Sequence, residues 1–196
     1  MHDVDESALI QRVQHGDRAA LGELLRGHQR RLYNVCYRMV SHPDDAAELT
    51  QDVLLKVVEK IDEFRWDAKL TTWMTRIAMN ASISHLRKRK HRQTLSLNQP
   101  AGGDDDGRLT LAGGLTDERE PGPEVCVQQH EMLDDLQRAI AGLEDDQRAV
   151  LVLRDVEELD YLQIAQTLDL PVGTVKSRLF RARLALREKL NPAPTS

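Results

Sequence analysis

Only two cysteines, Cys36 and Cys126, occur in the 196 residues of this chain. Two distant thiols do not make a disulfide framework, and each sits in an apolar helical context. Buried thiols in a reducing cytoplasm account for them better than a redox pair, which stays the alternative. The seven His are scattered, with no ligand spacing to the cysteines, so no metal site is expected. No run is long and apolar enough to span a membrane. The opening MHDVDES lacks the charged-then-apolar pattern of an export signal, so the expected location is cytoplasmic. Strand-like alternation is absent. No nucleophile–base pair, Gly-rich phosphate loop or metal-ligand spacing occurs. An enzyme reading therefore has no positive support, and no cofactor is expected.

What is present is a soluble composition: 40% hydrophobic and 30% charged residues. The net charge of −5 looks wrong for a nucleic-acid binder, but its distribution resolves that. Residues 1–92 carry 16 Lys/Arg against 13 Asp/Glu, and residues 171–196 carry 6 against 1. The acids gather between them, with 7 against 2 in 93–124 and 11 against 3 in 125–170. Basic charge is concentrated around 85–92 and 176–189. Local fields of this kind matter more to a polyanion than the total.

The most informative stretch is Tyr161 to Leu190, YLQIAQTLDLPVGTVKSRLFRARLALREKL. A short helical run ends at Leu168, Asp169-Leu170-Pro171 makes a tight connection, and a second helical run follows. Pro171 suits a first helical turn. Val175, Leu179, Ala182 and Leu186 form one apolar stripe for a core. Gly173, Ser177, Phe180, Arg181 and Leu184 lie opposite, bordered by Lys176 and Arg187. A phenylalanine among cations on an outer face makes sense if that face meets thymine methyls and base edges. The layout is that of a helix-turn-helix whose second helix enters a DNA groove.

Residues 93–124 hold six of the eleven Gly and three of the seven Pro, without periodicity. This reads as a flexible acidic linker, too long for a loop within one domain. It separates an N-terminal domain, 1–92, from a C-terminal one, 125–196, and leaves the two free to move independently. Both read as helical, so the fold class is all-α with two small domains. In the first, helices run from about Glu6 to His15, from an Asp17 cap to Val40, and from Pro43 to Ile61. A fourth is capped by Thr71 or Thr72. In the second, the runs are Glu124 to Ala141, Asp145 to Val156, Tyr161 to Leu168 and Pro171 to Leu190.

Three further constellations stand out. Arg87, Lys88, Arg89, Lys90 and Arg92 form a basic helix end. It suits phosphates, with a solvated end favouring the helix dipole as the alternative. The loop Phe64-Arg65-Trp66-Asp67-Ala68-Lys69, closed by Thr71, Thr72 and Trp73, joins aromatics to cations in a way that suits single-stranded bases. The alternative is that these aromatics plug the local core, and for Trp73 that reading is the better one. The third is an outer row on the third helix: Asp45, Glu48, Gln51, Asp52, Lys56 and Glu59. From its residues alone it reads best as a solvated face.

Two blocks resemble a known family. The segment from Leu21 through HQRRLYNVCYRMVSHPDDAAELTQDVLLKVVEKIDEFRWDAKLTTWMTRIAMNASISHLRKRK resembles region 2 of bacterial RNA polymerase sigma factors. LEDDQRAVLVLRDVEELDYLQIAQTLDLPVGTVKSRLFRARLALREKL is similar to their region 4. Two regions and a linker, with no third domain, resemble the extracytoplasmic-function (ECF) group. The resemblance implies a factor that binds core RNA polymerase and directs promoter-specific initiation. It implies that Glu48, Gln51 and Asp52 grip the β′ clamp coiled coil, with the β subunit a further contact. It implies that the loop of Phe64, Arg65, Trp66, Asp67, Lys69 and Thr72, followed by Trp73, Arg76 and Asn80, captures −10 bases. Lys176, Ser177, Phe180 and Arg181 would read the −35 duplex, and Arg87, Lys88, Arg89 and Lys90 would hold phosphates. Asp104-Asp105-Asp106 either mimics nucleic-acid phosphates in a polymerase channel or is plain solvated linker. Such factors are commonly held by an anti-sigma factor, for which the sequence identifies no partner. Trp66, Glu158 and Asp169 stand where the family often has Gly. The rival readings are a helix-turn-helix regulator acting without polymerase and a sigma-like decoy without promoter activity.

Overall fold

Every regular element among the described residues is helical. The computed structural model describes residues 3–97 and 123–191. Helix α1 (Asp3–Gln14) stops before Gly16, whose φ of 88° favours glycine. Helix α2 (Arg18–Val40) begins where Asp17 accepts the amides of Ala19 and Ala20 at 2.9 and 3.1 Å. The Ala20 amide, then the Arg12 side chain, hold the Asp17 carboxyl below the ordinary aspartate range. Ser41 closes α2 in the left-handed conformation, and Pro43 opens α3 (Pro43–Lys60). Ala46, Leu49, Val53 and Val57, spaced three or four residues apart along α3, form one buried stripe. Cys36 is buried beside it, and burial pushes its thiol up from the ordinary range.

A short 3₁₀ turn, Ile61–Glu63, leads into the aromatic loop. Helix α4 (Leu70–Leu97) starts earlier than a Thr71 or Thr72 cap implies. Leu70 is almost wholly buried, and the Trp73 amide already bonds to the Lys69 carbonyl at 3.1 Å. Thr72 is therefore inside the first turn and buried. The core's demand for Leu70 overrides the local capping preference. The helix also runs through the basic end to Leu97, so the first residues read as linker are helical. Residues 98–122, with Asp104-Asp105-Asp106, lie outside the described residues, as does the side chain of Cys126.

Helices α5 (Pro123–Ala141), α6 (Asp145–Leu151), α7 (Tyr161–Leu168) and α8 (Val172–Leu190) make the second half. A π-type turn, Val152–Val156, extends α6. Asp160 and Gln163 close a reciprocal capping box on α7. Pro171 caps α8 from just outside, with ψ 142°, rather than sitting in its first turn.

The sequence leads one to expect halves that move apart, but here they are packed together. Helices α5 and α6 touch α2, and α6 and α7 touch α4. Two buried polar side chains fasten the contact. Arg148, on α6, is only 5% exposed. It donates to the carbonyls of Met39 at the end of α2, of Ile140 and Ala141 at the end of α5, and of Leu143. Last-turn carbonyls lack intrahelical partners and carry the negative end of the helix dipole, so one guanidinium satisfies several at once. Glu157, beyond the π-type turn, accepts from Arg31 Nε and Nη2 at 3.1 and 2.8 Å and from Thr75 Oγ1 at 3.2 Å. Polar pairing between residues over a hundred positions apart leaves no periodic trace in a sequence.

Candidate nucleic-acid interface

Helix α8 separates its two faces as the wheel predicts. Val175, Leu179 and Ala182 are buried, and Leu186 is half-buried against the core. Gly173, Ser177, Phe180, Arg181 and Leu184 are exposed, Phe180 by 72%. A large apolar ring left in water among cations leaves apolar area that a partner could still bury. Lys176 Nζ lies 5.5 Å over the Tyr161 ring of α7, which fixes the cation at the start of the face. Ser177 donates to the Thr174 carbonyl at 3.0 Å. Arg183 pairs with Asp155 and thus turns away to the flank.

The aromatic loop divides into a support and a tip. Phe64 is 5% exposed and packs against Trp66 and Trp73, with ring centroids 5.2 and 5.5 Å away. It holds the loop from beneath and offers no face to a ligand. Trp73 is half-buried, as expected of a local plug. Trp66 is 46% exposed and has a φ of 64°, which costs a side-chain-bearing residue energy. Arg65, Asp67 and Lys69 are exposed around it, and Asn80 is exposed two turns beyond Trp73. A strained, exposed aromatic ringed by polar side chains is the kind of feature that collects at binding sites. Arg76 does not face solvent freely: it donates to Gln166 of α7 at 2.7 Å.

Among the cations ending α4, Arg87 and Lys88 are exposed. Arg89 lies 3.7 Å from Asp45, and Lys90 Nζ is 2.8 Å from Asp145. That hydrogen bond raises the Lys90 pKa above the ordinary lysine range. On α3, Glu48, Gln51 and Asp52 are all exposed. They share that surface with Leu55, 62% exposed, and Val58, 38% exposed. The row read from the sequence included neither Leu55 nor Val58. Position 55 falls one turn from 51 and 52, so a full wheel of α3 exposes it. Beside Gln51, a groove of ≈ 410 Å³ opens between α2 and α3, lined by Tyr33, Arg26, Gln29 and Thr50.

An exposed recognition face on a helix-turn-helix, joined to a second basic and aromatic surface, defines an all-helical DNA-binding protein. Family models agree on both halves. Sigma-70 region 2 matches residues 24–92, and Sigma-70, region 4 matches residues 133–186. The chain is 33% identical over 181 residues to the ECF RNA polymerase sigma factor SigW of Bacillus subtilis, covering 92% of this chain and 94% of that one. It is 32% identical over 190 residues to the ECF RNA polymerase sigma-E factor of Escherichia coli, covering 95% of each. Among solved structures it resembles the sigma factor RpoE of Bartonella quintana in complex with the anti-sigma factor NepR. There the TM-score is 0.65 at 25% identity, over 87% of this chain and 96% of that one.

The chain therefore belongs to the ECF group of RNA polymerase sigma factors. These act in promoter-directed transcription initiation with RNA polymerase.

Proposed function

We propose that this factor contacts the promoter and the polymerase through the surfaces just described. The recognition face of Lys176, Ser177, Phe180 and Arg181 reads −35 duplex DNA. Trp66, with Arg65, Asp67, Lys69, Trp73, Arg76 and Asn80, captures unstacked −10 bases on a support formed by Phe64 and Thr72. Arg87, Lys88, Arg89 and Lys90 hold phosphates. Glu48, Gln51 and Asp52 engage the β′ clamp coiled coil, with Leu55 as their apolar centre, and the β subunit takes part in the same assembly. The working division is a domain of residues 1–92, a linker of 93–124 and a domain of 125–196. The factor works in the cytoplasm and contributes no catalysis of its own. An anti-sigma factor that holds both halves is a further expected partner, since the similar RpoE structure contains one.

The observation that carries the −35 assignment is the exposure of Phe180 beside Arg181, opposite the buried Val175, Leu179 and Ala182. Melting is physically plausible because captured, stacked bases offset the cost of unstacking. The test is run-off transcription with holoenzyme reconstituted from core polymerase and this chain on a promoter library. Selected templates should share a −35 and a −10 element. Core binding without transcription from any template would leave a decoy instead.

A further inference from the structure

The base of the aromatic loop is held by a side chain far from it in sequence. Gln14, at the end of α1, aims its amide at the 3₁₀ turn that leads into the loop. Its Nε2 donates to the Ile61 carbonyl at 3.3 Å and to the Phe64 carbonyl at 3.1 Å. A side-chain amide nitrogen carries two N–H groups, so it can serve both acceptors at once. Ile61 and Phe64 are almost wholly buried, and main-chain carbonyls in such a place need a partner from the protein. The Phe64 carbonyl is the last one before Arg65 and Trp66, so Gln14 grips the chain where the loop leaves the core. Helix α1 is itself anchored. Ile10 and Val13 are buried, and Glu6 lies 3.0 Å from His28 of α2. Arg12 donates to Asp17 through Nε and Nη2 at 2.9 and 2.6 Å.

We infer that Gln14 is a positioning residue for base capture: it fixes the backbone on which Phe64, and through it Trp66, stands. Trp66 holds a φ of 64°, a conformation that persists only where the surroundings over-determine it. Those surroundings are the Phe64 ring, 5.2 Å from Trp66 and 5.5 Å from Trp73. Without the Gln14 amide, the Phe64 carbonyl is left without that partner unless Phe64 shifts towards water, and a shift of Phe64 moves both neighbouring rings. A base then stacks on a ring that must first be put in place, and capture carries the cost of ordering it. Gln14 acts only through the loop and touches no DNA. The inference rests on the reading of this loop as the −10 capture site.

The test uses holoenzyme reconstituted from core polymerase and full-length variants. Gln14→Met keeps the length of the side chain and removes both donors, and Gln14→Glu sets a carboxylate against two carbonyls. Arg12→Ala is the control, because it removes one anchor of α1 and leaves the Gln14 donors in place. The probes are a single strand carrying the non-template −10 element of a promoter selected by run-off transcription, and a duplex carrying its −35 element. Gln14→Met should bind the single strand about tenfold more weakly than wild type, the scale of a lost partner at a buried carbonyl. Gln14→Glu should bind it more weakly still. Affinity for the duplex and for core polymerase, and helix content, should not change. Arg12→Ala should lose much less, since its ion pair is partly exposed. Trp66 and Trp73 are the only two tryptophans, so intrinsic fluorescence of the free chain reports the loop. Acrylamide should quench it more in both Gln14 variants than in wild type. Unchanged single-strand affinity or quenching, an equal loss on the duplex, or an equal loss in Arg12→Ala overturns the role of Gln14. A wild-type holoenzyme that transcribes but does not prefer the −10 strand to a scrambled one overturns the reading of the loop, and the role of Gln14 with it.

Discussion

Phe180 and Arg181 occupy neighbouring exposed positions on α8, while Leu179 and Ala182 on either side of them are buried. Truncating either exposed side chain removes no core packing. Phe180→Ala and Arg181→Ala should each weaken −35 recognition while leaving core-polymerase binding and helix content unchanged. For the arginine the loss should be about 1–3 kcal/mol, the worth of a good base contact. Gel shifts with holoenzyme on matched and scrambled −35 templates measure it, and unfolding without a sequence-specific effect would defeat the assignment. This face was legible because helical periodicity and charge state it locally. Three other residues carried a finer signal. Trp66, Glu158 and Asp169, at positions where the family often has Gly, all adopt positive φ, at 64°, 57° and 53°. Asp tolerates that region better than most residues, and Trp and Glu do not. Glu158 is exposed and its strain serves no packing. Glu158→Gly should therefore raise stability by about 1 kcal/mol, read as a higher urea midpoint at unchanged slope.

At the scale of elements, boundaries followed local chemistry where capping is local. Asp17 opens α2 and Leu168 closes α7 as expected, because a cap needs only its own turn. The start of α4 did not follow, since burial of Leu70 is decided by the rest of the core. The same limit hid Arg148. In DDQRAVL it follows three polar residues and nothing local marks it as interior, yet it is buried where the C-terminal ends of α2 and α5 converge. Burial lowers its pKa, with Asp145 at 3.7 Å opposing that shift. Replacing it strands several carbonyls away from water. Arg148→Met, which keeps most of the volume, should cost about 3 kcal/mol or more, because unsatisfied buried acceptors are each worth about 1–3 kcal/mol. Chemical denaturation followed by circular dichroism measures this. A loss within the few tenths typical of a surface change would show that the carbonyls find water instead.

Over the whole molecule, a surface that leaves folding alone can still govern assembly. Gln51 and Asp52 project from α3 away from the buried Leu49, Val53 and Val57, and no core contact depends on them. Substitutions at such positions change stability within about 0.5 kcal/mol. At an interface the same two side chains count for more, because the partner's groups lose their pairing while staying desolvated. Leu55 beside them supplies the apolar area around which a polar rim can form. From its residues alone this row reads as solvated. What singles it out in the fold is the exposed Leu55 together with the groove between α2 and α3. It also lies on α3, whereas the packing of the two halves involves α2 and α4, so closing the molecule leaves it open. Core binding and DNA binding should therefore separate by mutation. Gln51→Ala combined with Asp52→Ala should reduce competitive binding to core enzyme at least tenfold, a loss of about 1.4 kcal/mol or more. Helical circular dichroism and duplex-DNA affinity of the free chain should stay unchanged. Unchanged core affinity with an intact fold would remove this face from the polymerase interface. A parallel loss of DNA affinity would show that the two surfaces are not separate.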